Sequence, residues 1–262
     1  MVVRICVPSQ RSVHLEPTTP LNLSEPFLKT TRAKYHLEDL RKAIEAFTAT
    51  GPCKMVGTDD VDRQLCEISG KMDDVPDRIH LIAGDFLYCL RSSLDQLVWC
   101  LARLEERTYP KHTQFPIYME RTPSNVERFK RHTRGVPAAA VTVIEGLQPY
   151  NAPDPKFTLL GHLNALCNID KHRRLPVLGS VTDFPLSKLA ASVIWKDEKT
   201  GKLFIPIQSK GFLDFEAQPK IELTFGDYAE NLGVQFSGFE RMFDLVANSI
   251  IPRFQRFFVD PI

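Results

Sequence analysis

The 262-residue sequence contains no run of about 18 apolar residues, so nothing in it reads as a membrane-spanning helix. The apolar patch Val2 to Val7 is broken by Pro8, well short of a secretory signal core, and a cytoplasmic location is the expectation. The six cysteines are scattered, with no tight pairs. Cys6, Cys53, Cys66, Cys89, Cys100 and Cys167 show no CxxC spacing, which excludes a zinc ribbon and suits reduced, buried thiols. There is no Gly-rich phosphate loop, no GxSxG and no HExxH, so the common nucleotide-cradle, hydrolase and zinc-protease signatures are missing. No metal or cofactor is expected. A bundle metal site from Asp85, Asp95, His162, Asp170 and His172 would lack the Glu-x-x-His pattern such sites use. Neither sign of charge dominates, with 33 Lys+Arg against 32 Asp+Glu and a net charge of +1. Repeats and low-complexity blocks are absent too.

What is present is an average apolar share, 43%, with 17 Phe, enough to build a core and to exclude disorder. Ala33, Leu37, Leu40, Ile44 and Phe47 recur at helical spacing and predict a helix from about Lys29 to Thr48, ended by Gly51-Pro52. The stretch 54–71 reads as a hairpin turning at Thr58-Asp59-Asp60. A long helix from Pro76 to Glu106 carries Ile79, Ile82, Phe86, Leu90, Leu94, Leu97, Leu101 and Leu104 on one side. Shorter helices are expected over Ser124 to His132, Pro137 to Glu145 and Lys156 to His172. The period then changes to two, predicting strands at 177–181, 191–195, 203–207 and 221–225, with a turn at 199–202. A Phe-rich helix from Val234 to Phe258, kinked at Pro252, closes the chain. The expected fold class is α+β, mainly α: a helical bundle with a small antiparallel β-sheet inserted before the C-terminal helix. Residues 1–28 read as an N-terminal extension, and residues 29–262 as one domain with its β insertion at about 175–226.

Two polar clusters interrupt this pattern. Arg91 and Asp95 are one turn apart inside the widened apolar stripe of the long helix, where charge is rare unless paired. Asp170 occupies an expected apolar position in the stripe Leu159, Leu163, Leu166, with Asn168 and His172 on the adjacent face. Lys171, Arg173 and Arg174 suit the negative end of that helix dipole, but an inward Asp170 needs a cation, and Arg91 or His172 could supply it. Were the clusters to meet, His172 could act as a base beside an anion-stabilising Arg91, with Asp95, Asn168 and Asp170 orienting them. Lys171 and Arg173 would then bind substrate. A third feature is the basic stretch Arg121, Arg128, Lys130, Arg131, Arg134, opposed between 121 and 134 by Glu127 alone. Such a patch attracts a phosphate backbone, making RNA the candidate partner.

The segments GDFLYCLRSSLDQ (84–96), Gln148-Pro149-Tyr150 and NIDKHR (168–173) resemble a widespread bacterial group without an established activity. More remotely, a helical bundle with an Asn/Asp-rich turn ending in His is similar to the higher-eukaryote-and-prokaryote nucleotide-binding (HEPN) superfamily. That resemblance implies a dimeric, metal-independent endoribonuclease of a toxin or phage-defence system. The family's Arg preceding its His is replaced here by Ala165, Leu166 and Cys167, so Arg91 would have to supply that charge. The competing reading is a non-enzymatic binding or assembly protein whose Arg91, Asp95, Asp170 and His172 are structural.

Overall fold

The computed structural model describes residues 22–104, 111–183, 195–196, 203–206, 220–227 and 233–258. Helix α1 covers Ser24–Ala49 and buries Ala33, Leu37, Leu40 and Phe47. It therefore starts five residues before the expected Lys29, and the extension ends sooner. Pro26 lies in the first turn, where its missing N–H leaves no intrahelical bond unmade. Strands β1 (Cys53–Asp60) and β2 (Leu65–Met72) form the expected hairpin. Its turn is displaced to residues 61–64 and closed by Gln64 in a left-handed conformation, φ 53°.

Helix α2 (Asp77–Ala102) is the scaffold. Nearly every residue of its stripe is fully buried, from Ile79 to Leu101. Helices α1 and α2 are antiparallel neighbours, since the charge of Glu25 is felt at Cys100 and that of Asp85 at His36. Helices α3 (Pro123–His132) and α4 (Ala138–Gly146) follow. Two short 3-10 turns, Pro149–Asn151 and Pro155–Phe157, lead into α5 (Leu159–His172). The Thr158 hydroxyl caps α5 by accepting from the Gly161 N–H, so this helix begins three residues after the expected Lys156.

The fold is α+β and mainly α, with antiparallel strands between α5 and the last helices. Those strands divide between two sheets. Strands β3 (Val177–Asp183), β6 (Lys220–Phe225) and β7 (Val234–Gln235) make one, in the order β3-β6-β7. Strands β4 (Trp195–Lys196) and β5 (Leu203–Pro206) instead extend the hairpin, in the order β1-β2-β5-β4. The exposed edge of β2 explains the capture, because a hairpin alone leaves a row of unpaired N–H and C=O groups. The sheets touch where Met72 of β2 lies over Gly179 of β3, a place a side chain at 179 would fill. The predicted turn at 199–202 and most of the predicted strand 191–195 lie outside the described residues.

The final helix is interrupted. Residues Val234–Gln235, expected to be helical, pair with β6, and α6 runs over Phe236–Phe243. A π-helical turn, Asp244–Ile250, precedes the short α7, Ile251–Arg253. Pro252 has no N–H to bond back and crowds the carbonyl one turn earlier, so the departure from α geometry falls just before it. The Phe-rich face meets α2 and the small sheet. Phe239 packs on Phe86 and Phe225, with ring centroids 5.4 and 4.8 Å apart. An Arg41–Glu240 ion pair of 2.6 Å joins α6 to α1, and His80 Nδ1 lies 2.7 Å from the Leu175 carbonyl.

Candidate functional site

Arg91 and Asp95 are paired as their spacing implies, at 2.9 Å between Nη2 and Oδ1. Arg91 is 5% exposed, buried within the stripe of α2. What holds it there is the backbone of Phe115. Its Nη2 also donates to the Phe115 carbonyl at 2.6 Å, and Asp95 Oδ1 accepts from the Phe115 N–H at 2.9 Å. The pair thus satisfies both main-chain groups of a residue whose ring is fully buried in a segment without helix or strand, 113–118. Burial pushes the Asp95 carboxyl above its ordinary range, opposed by Arg91, by the Phe115 N–H and by Lys171. The other guanidinium nitrogen, Nη1, is buried and has no protein hydrogen-bond partner among the described residues.

The end of α5 does not complete this site. Asn168, Lys171, His172 and Arg173 are exposed, and His172 makes no hydrogen bond among the described residues. Arg173 is engaged with Asp227 at 2.5 Å, and Arg174 with Asp77 at 2.5 Å. Asp170 is exposed, although its carboxylate faces α2, and it forms no ion pair with Arg91 or His172. Its carboxylate lies against Gly84, where α2 and α5 approach so closely that a Cβ would stand 2.7 Å from both oxygens. The Arg91 guanidinium is instead committed to Asp95 and to the Phe115 carbonyl, which is why the expected pairing fails. Burial, and then the charge of Asp85, raises the Asp170 carboxyl above its ordinary range. Arg91, Asp170 and Lys171 do share a cleft with Tyr88 and Cys167, but its volume is ≈ 30 Å³. That is about the space of one water molecule, too small for any nucleotide.

A larger concavity lies elsewhere, between α3 and α4. It measures ≈ 170 Å³, with Val126, Phe129 and Val141 among its apolar walls and Tyr118, Tyr150, Arg121, Asn125 and Glu145 also lining it. Thr122 caps α3 by accepting from the Asn125 N–H. Gln148, 2% exposed, fixes the other wall: its Nε2 donates to the Pro116 and Ile144 carbonyls at 2.8 and 3.1 Å, and its Oε1 accepts from the Tyr118 N–H at 3.1 Å. The segment before α3 is therefore held at Phe115 by α2 and at Pro116 and Tyr118 by Gln148. Arg121 pairs with Glu145 at 3.3 Å and Lys130 with Glu127 at 2.8 Å, so these two of the basic residues are engaged.

Arg128, Arg131 and Arg134 are exposed and make no ion pair among the described residues. Beside the first two sits an imidazole whose position the sequence did not single out. His132 Nδ1 lies 3.2 Å from the Tyr118 hydroxyl, with the two rings stacked at 6.4 Å and 17°. Burial and the surrounding cations Arg131, Arg91, Arg128 and His112 hold this histidine below its ordinary value, in that order. Arg91 and the basic stretch, read separately in the sequence, thus act on the same imidazole. Tyr118 and His132 escaped notice because 113–118 has no periodicity to place it; the one available signal was a histidine inside a run of arginines.

Among the described residues no helix is long and apolar enough to cross a membrane, and no group of three or more His, Cys, Asp and Glu is placed to hold a metal. Cys53, Cys66, Cys89, Cys100 and Cys167 are free thiols, and burial pushes Cys100 up to about 11 and Cys167 up to about 12. Comparison of the chain with family models, curated proteins and solved structures finds no match.

Proposed function

We propose that this chain is an RNA-binding protein that engages phosphates through α3, and that the Arg91–Asp95 pair positions this surface rather than performing chemistry. The observation carrying the reading is the exposed set Arg128 and Arg131 on α3 and Arg134 in the turn that follows it, without ion-pair partners among the described residues, with the approach segment of α3 anchored by two buried polar side chains. Exposed arginines on a fixed surface suit phosphates, since each neutralised phosphate releases bound counterions. Strand cleavage at His172 with Arg91 as its anion partner is disfavoured by the commitment of Arg91 to Asp95 and Phe115. Of the residues first assigned to substrate, Arg128 and Arg131 keep that role here. Lys130 and Arg173 already hold carboxylates, and Lys171 belongs to the narrow cleft.

The test is fluorescence anisotropy of a labelled 12-nucleotide RNA at several salt concentrations, followed by a gel of the recovered strand. Three phosphate contacts imply a slope of about −2 in log K against log salt, and Arg128→Ala/Arg131→Ala should reduce its magnitude by about 1.4. Intact RNA is expected afterwards. No measurable binding would sink the proposal. Cleavage abolished by His172→Ala would replace binding with catalysis at the end of α5.

A further inference from the structure

We propose that the concavity between α3 and α4 receives one unstacked nucleobase of single-stranded RNA while the flanking phosphates lie on Arg128 and Arg131; this rests on the RNA-binding reading above. Size is the first argument. A cavity of about 150 Å³ accommodates a benzene ring, so ≈ 170 Å³ admits a six-membered heterocycle and, with an open mouth, the inner part of a purine.

Chemistry is the second. A nucleobase has apolar faces and a polar edge, and the lining divides the same way. Val126, Phe129 and Val141 supply apolar contact and the Tyr118 and Tyr150 rings supply aromatic surface, while Arg121, Asn125 and Glu145 bring donors and acceptors. A bare phosphate would lose hydration against those apolar walls without recovering it. An aliphatic chain would leave the polar groups unused.

Continuity is the third. Tyr118 belongs to the concavity and is also hydrogen-bonded to His132, which shares a face of α3 with Arg128 and borders Arg131. Asn125, Val126, Phe129, Lys130 and Thr133 turn one side of α3 to the concavity; Arg128 lies about 60° beyond Asn125, so it borders the concavity, and Arg131 follows about a further 60° round the helix. A strand crossing that edge can place a phosphate on the arginines and turn the adjacent base inward. A base paired in a duplex cannot make that turn.

The experiment uses the full chain and three labelled probes of equal length: a single-stranded 12-nucleotide RNA, the same RNA as a duplex, and an abasic ribose-phosphate strand. Wild-type protein should bind the single strand about tenfold more tightly than the abasic strand. The duplex should bind no better than the abasic strand. Val141→Trp fills the concavity and should reduce single-strand affinity to the abasic level with the salt slope unchanged; its melting curve reports whether it folds. Should it fail to fold, the wild-type comparison of base-bearing and abasic strands decides alone. Equal affinity for those two strands, with a full salt slope, would overturn the base pocket and leave phosphate binding standing. Absence of binding to every probe would overturn both.

Discussion

Asp170 shows how a single residue can be read correctly as unusual and wrongly as to its partner. A carboxylate at a stripe position suggested a buried cation, yet the structure seats it over Gly84, where what it meets is the absence of a side chain. Alanine normally stabilises a helix interior relative to glycine by about 1 kcal/mol. At position 84 that gain should be offset, because the new Cβ would stand 2.7 Å from each Asp170 oxygen and 2.9 Å from Cγ, and the exposed Asp170 side chain must rotate away from α2 to make room. Gly84→Ala is expected to gain less than that, because displacing Asp170 from α2 cancels part or all of about 1 kcal/mol of helix propensity. In Gly84→Ala/Asp170→Ala the clash is gone and the helix gain remains, so the double variant should be at least as stable as Asp170→Ala alone. Urea unfolding of the four proteins gives the coupling directly, and additive effects would show that the close approach has no energetic weight.

At the scale of elements, the Arg91–Asp95 pair joins α2 to the segment leading into α3. Arg91→Met would leave the Phe115 carbonyl without a donor and a half-buried Asp95 without its counter-charge. Breaking a buried pair costs about 3–5 kcal/mol, and the 36% exposure of the Asp95 side chain places this case near the lower end, about 3 kcal/mol. The loss should depend on pH in a defined direction. Burial already raises the Asp95 carboxyl in the folded protein, and removing Arg91 raises it further. A carboxyl raised on folding contributes stability at low pH that disappears as pH rises through its folded value, so the deficit of Arg91→Met should grow from acid toward neutral pH. A deficit independent of pH between 4 and 7 would mean that only packing was lost. The apolar stripes of α1, α2 and α5 were legible because a 3.6-residue period is local information. So was the pairing of Arg91 with Asp95, one turn apart. The anchoring role was not, because the partner is a backbone group of Phe115 in a Pro-flanked segment with no period. The division of the strands was equally hidden: whether β5 pairs with β2 or with β6 depends on which edge is open, and no window of sequence around Leu203 records that.

For the molecule as a whole, balanced charge conceals segregated charge. Arginines from α2 and α3 converge on His132, together with His112 and Tyr118 from the intervening segment, and the carboxylate that meets Arg91 there is already committed to Phe115. The imidazole is consequently held below its ordinary value, by burial first and then by these cations. In the free protein a histidine depressed in this way contributes stability above the unfolded value, and that contribution fades as pH falls. A phosphate laid across Arg128 and Arg131 reverses the local field and favours the protonated ring, so RNA binding and proton uptake become linked. A one-unit rise in the imidazole value on binding corresponds to about tenfold in affinity. RNA affinity should therefore increase as pH falls from 7.5 to 5.5, approaching that factor only below the free-protein value, and the thermal shift produced by RNA should widen over the same range. His132→Gln keeps a polar side chain beside Tyr118 and should flatten both trends while retaining the salt slope. If the pH dependence survives in His132→Gln, the phosphate lies elsewhere than at this edge of α3. If it moves instead with His172→Gln, the end of α5 is the contact surface.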